Sequence, residues 1–292
     1  MKSPFLRGLL AAIFLATGSW AQPVLDKSSD LFPNWADPLT SKQDAEVMKY
    51  GYPGTDQLIF RQGYVLSYDA KHRQAHWVCE RLDRDSLQGP GKRKNNFRED
   101  LLVDTEHRSR PKDYEGTGYD QGHLSPAEDN VASQEQMDES FFMSNMSPQI
   151  GIKFNRHYWA NLEGTVRDWA KAPEVEHLYV VTGPVYKHLN EQSVPGKTFL
   201  TYQVIGPDYV AVPTHFFKVM LAEMKNGEVR TLALLLPHQG IANTVPLSDF
   251  LTSIDEVESL SGLDFFNRLP DSFETKQEKV KPSTVWSFAG AQ

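Results

Sequence analysis

Gly118 to Asn130 reads GYDQGHLSPAEDN, and Phe141 to Glu163 reads FFMSNMSPQIGIKFNRHYWANLE. In the first piece Asp120-Gln121-Gly122 leads into His123. A glycine in that approach lets a strand end close to its neighbour and leaves the imidazole facing a cleft. In the second piece Trp159, Leu162, Val166 and Trp169 recur at intervals of three and four, and Pro173 follows. That spacing predicts an amphipathic helix from Asn155 to about Ala172, with Asn155 suited to its cap and the proline as its stop.

Working outward, Tyr64–Tyr68 and His76–Leu82 are aromatic and β-branched runs around the polar Asp69–Arg73, which predicts an antiparallel hairpin. His72 and His76 read as turn and strand-surface residues, since no other ligand-type residue stands at a fitting spacing. Ser133 opens a short helix carrying Met137 and Phe141. Leu178–Pro184, Thr201–Ile205, Phe216–Leu221 and Thr231–Leu236 are further strand candidates, the first ending in a turn at Gly183-Pro184. Asn226-Gly227 joins the last two as a tight hairpin. Leu247 to Leu260 reads as one amphipathic helix. No repeat or linker divides the chain, so the expectation is one α+β domain over residues 51–270, a central antiparallel sheet flanked by helices. Residues 22–50 read as a peripheral lead-in and 271–292 as a loose polar tail, Trp286 excepted.

Lys2 and Arg7 precede an apolar run from Leu9 to Thr17, and Ser19-Trp20-Ala21 offers a small-residue cleavage site. This reads as a secretory signal over residues 1–21, the alternative being an organelle presequence. The run is about half of the roughly 20 residues that span a bilayer, so a soluble, secreted or periplasmic protein is expected. Cys79 is the only cysteine, so the core must suffice without an intrachain disulfide.

The 30 basic and 38 acidic residues give a net charge of −8. Loss of Lys2 and Arg7 makes it −10. That balance excludes broad electrostatic adhesion to a polyanion, and any such binding must be local. One local island exists: Gly91 to Lys112 holds seven Lys or Arg against four Asp or Glu. Arg93 and Arg98 within it offer paired donors to phosphate oxygens.

These residues can support phosphodiester hydrolysis, which needs an activated water, charge relief at phosphorus and help for the leaving oxygen. A neutral imidazole at His123 can take the water's proton; its rival reading is a structural histidine bonded to a carbonyl. Mg²⁺ keeps most of its waters and needs only one or two protein oxygens, such as the carboxamide of Asn155. Glu163 lies eight residues on, about 12 Å along an ideal axis, so it supports the metal's water shell or orients a neighbour. Asn145 by itself reads as a turn former.

The same residues resemble the DNA/RNA non-specific endonucleases of the ββα-metal (His-Me finger) fold. Asp120, Gly122 and His123, Pro126-Ala127, Ser144-Asn145, Pro148-Gln149, Asn155 and Glu163 match that family's motif. Phe97–Asp100 and Tyr202–Pro213 are similar to the mitochondrial endonuclease G branch and its exo/endonuclease G-like relative, and the likeness runs from about Gly51 to Leu269. The resemblance implies His123 as base, Asn155 as ligand of Mg²⁺ (or Mn²⁺), and Glu163 and Asn145 in support of the metal. It further implies DNA and RNA as partners, held through the phosphate backbone by Arg93, Arg98, Asp120, Gln121 and Arg156, and a homodimer. Two departures stand out. Gln121 replaces the family's Arg, and the interval from Asn145 to Asn155 is one residue longer than the family's.

Overall fold

The computed structural model describes residues 46–187 and 201–289; the signal reading of residues 1–21 lies outside them. Three strands open the fold: β1 (Gln57–Phe60), β2 (Tyr64–Asp69) and β3 (Gln74–Leu82). Then come β4 (Tyr119–His123), α1 (Gln134–Glu139), β5 (Met146–Ile150), a π-helical segment Gly151–Trp159 and α2 (Ala160–Ala170). The second half supplies β6 (Val175–Val185), β7 (Val204–Ile205), β8 (Val210–Ala211), β9 (His215–Met224), β10 (Val229–Pro237), β11 (Leu251–Thr252), α3 (Ile254–Ser261) and α4 (Asp271–Glu278).

A seven-stranded antiparallel sheet runs in the order β1-β2-β3-β6-β9-β10-β11. Its side chains alternate between two cores, as a period of two requires. Leu66, Val78, Val180, Met220 and Leu234 pack against Leu162, Val166 and Trp169 of α2. Their chain neighbours Val65, Cys79, Val181, Val219 and Ala233 pack on the opposite face against Ile254 and Val257 of α3 and Phe273 of α4. Because both faces are covered, the central strands read as nearly unbroken apolar runs. The expected α+β architecture with a central antiparallel sheet is the one observed.

Several local expectations are corrected. Gly183-Pro184 does not end β6: the glycine lies inside the strand, where an added Cβ would stand 2.5 Å from the His76 carbonyl oxygen and 2.6 Å from the Phe217 ring. Thr201–Ile205 shrinks to the two residues of β7, because the left-handed Gly206 turns the chain back onto β8. The helix expected over 247–260 breaks in two, since Leu251 and Thr252 pair with Leu234 and Ala233 at the sheet edge. Ser253 then caps a fresh start, its hydroxyl accepting from the Glu256 N–H. Val47, Met48 and Tyr50 of the lead-in are core residues, and the supposed tail forms α4, with Phe273 and Phe288 buried and Trp286 edge-on to Trp169.

Candidate active site

β4 and β5 form a separate two-stranded ribbon, with His123 opposite Met146 and Gly122 opposite Ser147. A Cβ on Gly122 would stand 2.2 Å from the buried Gln149 side chain, so only glycine lets the ribbon close with Gln149 tucked beneath it. Gln121 and His123, two apart and therefore on one face of β4, line a cavity of about 310 Å³ together with Arg93, Glu128, Asn155, Arg156, Glu163 and Arg167. His123 is 8% exposed. Its ring is gripped by Phe97 and Phe141, with centroids at 5.8 and 4.9 Å, and its Nε2 is buried without a hydrogen-bond partner. A purely structural histidine would have spent that nitrogen. Burial, with Arg93 adding to it, pushes the imidazole down to about 3, so the ring is neutral near neutral pH and carries an unprotonated nitrogen.

The carboxamide reaches the same cavity by a route the sequence did not foretell. Ile152 is extended and Lys153 adopts φ 65°, so the helix starts only after a kink, and Asn155 does not cap it. Its Nδ2 instead donates to Asp120 Oδ2 at 2.9 Å. Arg156 grips both oxygens of Asp120, its Nε donating to the same Oδ2 at 2.7 Å and its Nη2 to Oδ1 at 2.5 Å. Fixing the amide nitrogen in this way fixes the carbonyl oxygen as well, and no hydrogen bond among the described residues uses Asn155 Oδ1. Asp120 therefore orients Asn155, and it does not itself line the cavity. The wider winding of the π-helical segment leads into α2, and Glu163, in its first turn, lines the same cavity despite the eight-residue interval.

Burial pushes Glu163 up to about 8, with Asp129 and Glu128 adding to the rise and Lys218 and Arg167 opposing it. Burial likewise raises Glu80 and Asp129 behind it. Asp129 is held by Arg167 at 2.8 Å. Lys218, fully buried, donates to Thr182 Oγ1 at 2.8 Å and lies 5.0 Å from the centre of the Trp159 ring. A carboxyl whose proton is held by burial and an uncommitted amide oxygen, lining one cavity, suit a hard divalent ion. Arg167, Glu128, Asp129, Glu80 and Lys218 escaped the reading of the sequence. Two had a signal: Arg167 follows Glu163 by one helical turn, and Lys218 interrupts the apolar run of β9.

Besides Asp120, two expected site residues lie off the cavity. Asn145 is fully buried, its Oδ1 accepting from the Ser125 N–H and its Nδ2 donating to the Ser125 and Ser140 carbonyls. It staples the His123 loop from behind and does not line the cavity. Arg98 donates to the Asp138 and Asn96 carbonyls and stacks 3.9 Å from the Phe142 ring centre, so it braces a loop and does not line the cavity. Arg93 and Arg156 do line it, Arg93 lying 3.4 Å from Glu128 and Arg156 largely exposed. Gln121 is there too, its amide 3.9 Å from Met143 Sδ.

Residues 43–272, which hold every side chain of the cavity, match the family described as DNA/RNA non-specific endonuclease. The chain belongs to the DNA/RNA non-specific endonuclease family. It is 38% identical over 278 residues to a nuclease of Syncephalastrum racemosum, spanning 92% of this chain and 86% of that one. It is 40% identical over 255 residues to the mitochondrial endonuclease G of Caenorhabditis elegans, spanning 86% and 82%, and 41% identical over 221 residues to that of Homo sapiens, spanning 75% and 73%. Among solved structures it is similar to the EndoG of an EndoG/EndoGI inhibition complex, with a TM-score of 0.74 at 37% identity over 80% of this chain and 94% of the other. The non-specific endonuclease fold thus accounts for the sheet, the ribbon and the helix that carry the cavity.

Proposed function

We propose that the chain is a divalent-metal-dependent nuclease that hydrolyses phosphodiester bonds of DNA and RNA, with His123 as general base. The observation that carries this reading is the partnerless Nε2 of a neutral His123, a residue that lines the same cavity as Asn155 and Glu163. His123 takes a proton from water as the water oxygen bonds to phosphorus and the bond to the leaving oxygen breaks. Asn155 Oδ1 and Glu163 would hold Mg²⁺ or Mn²⁺. When bound, that ion relieves charge on the phosphate and the departing oxygen. Arg93 and Arg167, on the cavity wall, and Arg156, on its lip, meet the other phosphate oxygens. None of these side chains reads a base edge, so little sequence preference is expected.

Purified protein should nick plasmid DNA and degrade RNA in Mg²⁺, with EDTA abolishing both. His123→Ala should lower the rate by about 10²–10⁴-fold with unchanged melting temperature. Wild-type rates in that variant would refute the assignment.

A second reading, a weakly catalytic homologue that binds nucleic acid or a protein partner, draws on Gln121, an uncharged side chain where the resemblance has Arg. It predicts that wild type binds DNA without cutting it and that Gln121→Arg restores cleavage. The names of the mitochondrial relatives support an organelle presequence over export for residues 1–21. A homodimer, implied by the resemblance, would show as twice the monomer mass in light scattering.

A further inference from the structure

Ile152 is 69% exposed, one of the few large apolar side chains presented to solvent among the described residues. It stands three residues before Asn155, in the interval that is one residue longer than the resemblance predicts. Lys153 follows in the left-handed region, at φ 65°, which any residue with a Cβ adopts at a cost. The neighbouring chain holds this turn rigid: the Ile241 N–H donates to the Lys153 carbonyl at 2.9 Å, and the Lys153 N–H donates to His157 Nδ1 at 3.2 Å. Lys153, Arg156 and His157 are all exposed around it. An exposed apolar tip on a strained, braced turn, with Lys153, Arg156 and His157 beside it in the chain and Asn155 and Arg156 of the cavity lining a few residues on, serves no packing purpose of its own. Backbone strain of this kind persists where the surroundings enforce it and function uses it.

We propose that the Ile152–Lys153 turn is a duplex-DNA contact, in which Lys153 meets a backbone phosphate and Ile152 enters the groove and wedges between adjacent bases beside the scissile bond. Apolar wedges flanked by cationic residues unstack a base step and hold the duplex bent, which would bring the scissile phosphate down towards His123 and Asn155. The proposal rests on the nuclease reading above.

Its test uses the His123→Ala protein, which should bind without cutting. Fluorescence anisotropy on a short duplex in EDTA gives affinity and its salt dependence. Relaxation of closed circular plasmid by a metal-independent topoisomerase, with the protein bound, gives unwinding as a change in linking number. Adding Ile152→Ser should weaken binding by about five- to tenfold and remove the linking-number change, with no shift in melting temperature. Lys153→Gly, which accepts the left-handed backbone without strain, should lower the slope of log affinity against log salt by about 0.9 and leave unwinding in place. Affinity within twofold and undiminished unwinding in Ile152→Ser would overturn the wedge. If wild type cuts plasmid while the parent variant unwinds nothing, the wedge fails and the nuclease reading stands. If wild type neither binds nor cuts, both fall.

Discussion

At the scale of single residues, the same side-chain type does opposite jobs at Asn145 and Asn155. Each is an asparagine in the central segment, yet Asn145 spends its amide on three backbone groups, while Asn155 ties only its nitrogen and keeps its oxygen. Asn145→Ala should therefore unfold at lower urea, by about 3 kcal/mol for stranding buried backbone groups, while the folded fraction binds Mn²⁺ as tightly as wild type in calorimetry. Loss of metal binding without loss of stability would reverse that assignment. That His123, Asn155 and Glu163 would come together was legible in the sequence from the motif they match, and they line one cavity. The placement of Asn145 was not, since a carboxamide bonds a backbone as readily as an ion and only its surroundings decide.

At the scale of elements, the β4–β5 ribbon depends on Gly122 leaving room for Gln149, whose amide is buried without a partner. Gly122→Ala should cost about 1–3 kcal/mol by overpacking and lower nuclease rate further, since His123 is the next residue. Gln149→Ala in the same chain should recover much of both, and a double-mutant cycle by urea denaturation and plasmid cleavage would show the coupling. Additive losses would mean that the two side chains do not compete for one space. The β2–β3 hairpin and the Asn226-Gly227 turn were legible because alternation and turn chemistry are local. The break between β11 and α3 was hidden because pairing with β10 at the sheet edge is not local. The kink before α2 was hidden because it needs a left-handed Lys153, a conformation no residue type announces when it is not glycine.

At the scale of the whole molecule, two apolar cores clamp a sheet whose one buried lysine and buried acids lie behind the cavity. That arrangement links metal, pH and stability. Glu163 is raised from 4.5 to about 8, so between those values the folded metal-free protein holds a proton that the unfolded chain releases. Its stability therefore falls as pH rises through that window. A cation displaces the proton freely above pH 8 and against a cost of about tenfold in affinity per unit below it. The rise in melting temperature on adding Mg²⁺ should accordingly grow from pH 6 to pH 8 in differential scanning fluorimetry, and flatten in Glu163→Gln. The account as a whole rests on His123 and Asn155 facing one divalent ion, and the anomalous signal of Mn²⁺ soaked into crystals tests that most directly. A single strong peak within bonding distance of Asn155 Oδ1, inside the His123 cavity, is the predicted result. Manganese found only at the carboxylate cluster Asp255, Glu258 and Glu278, with no peak beside Asn155, would contradict it.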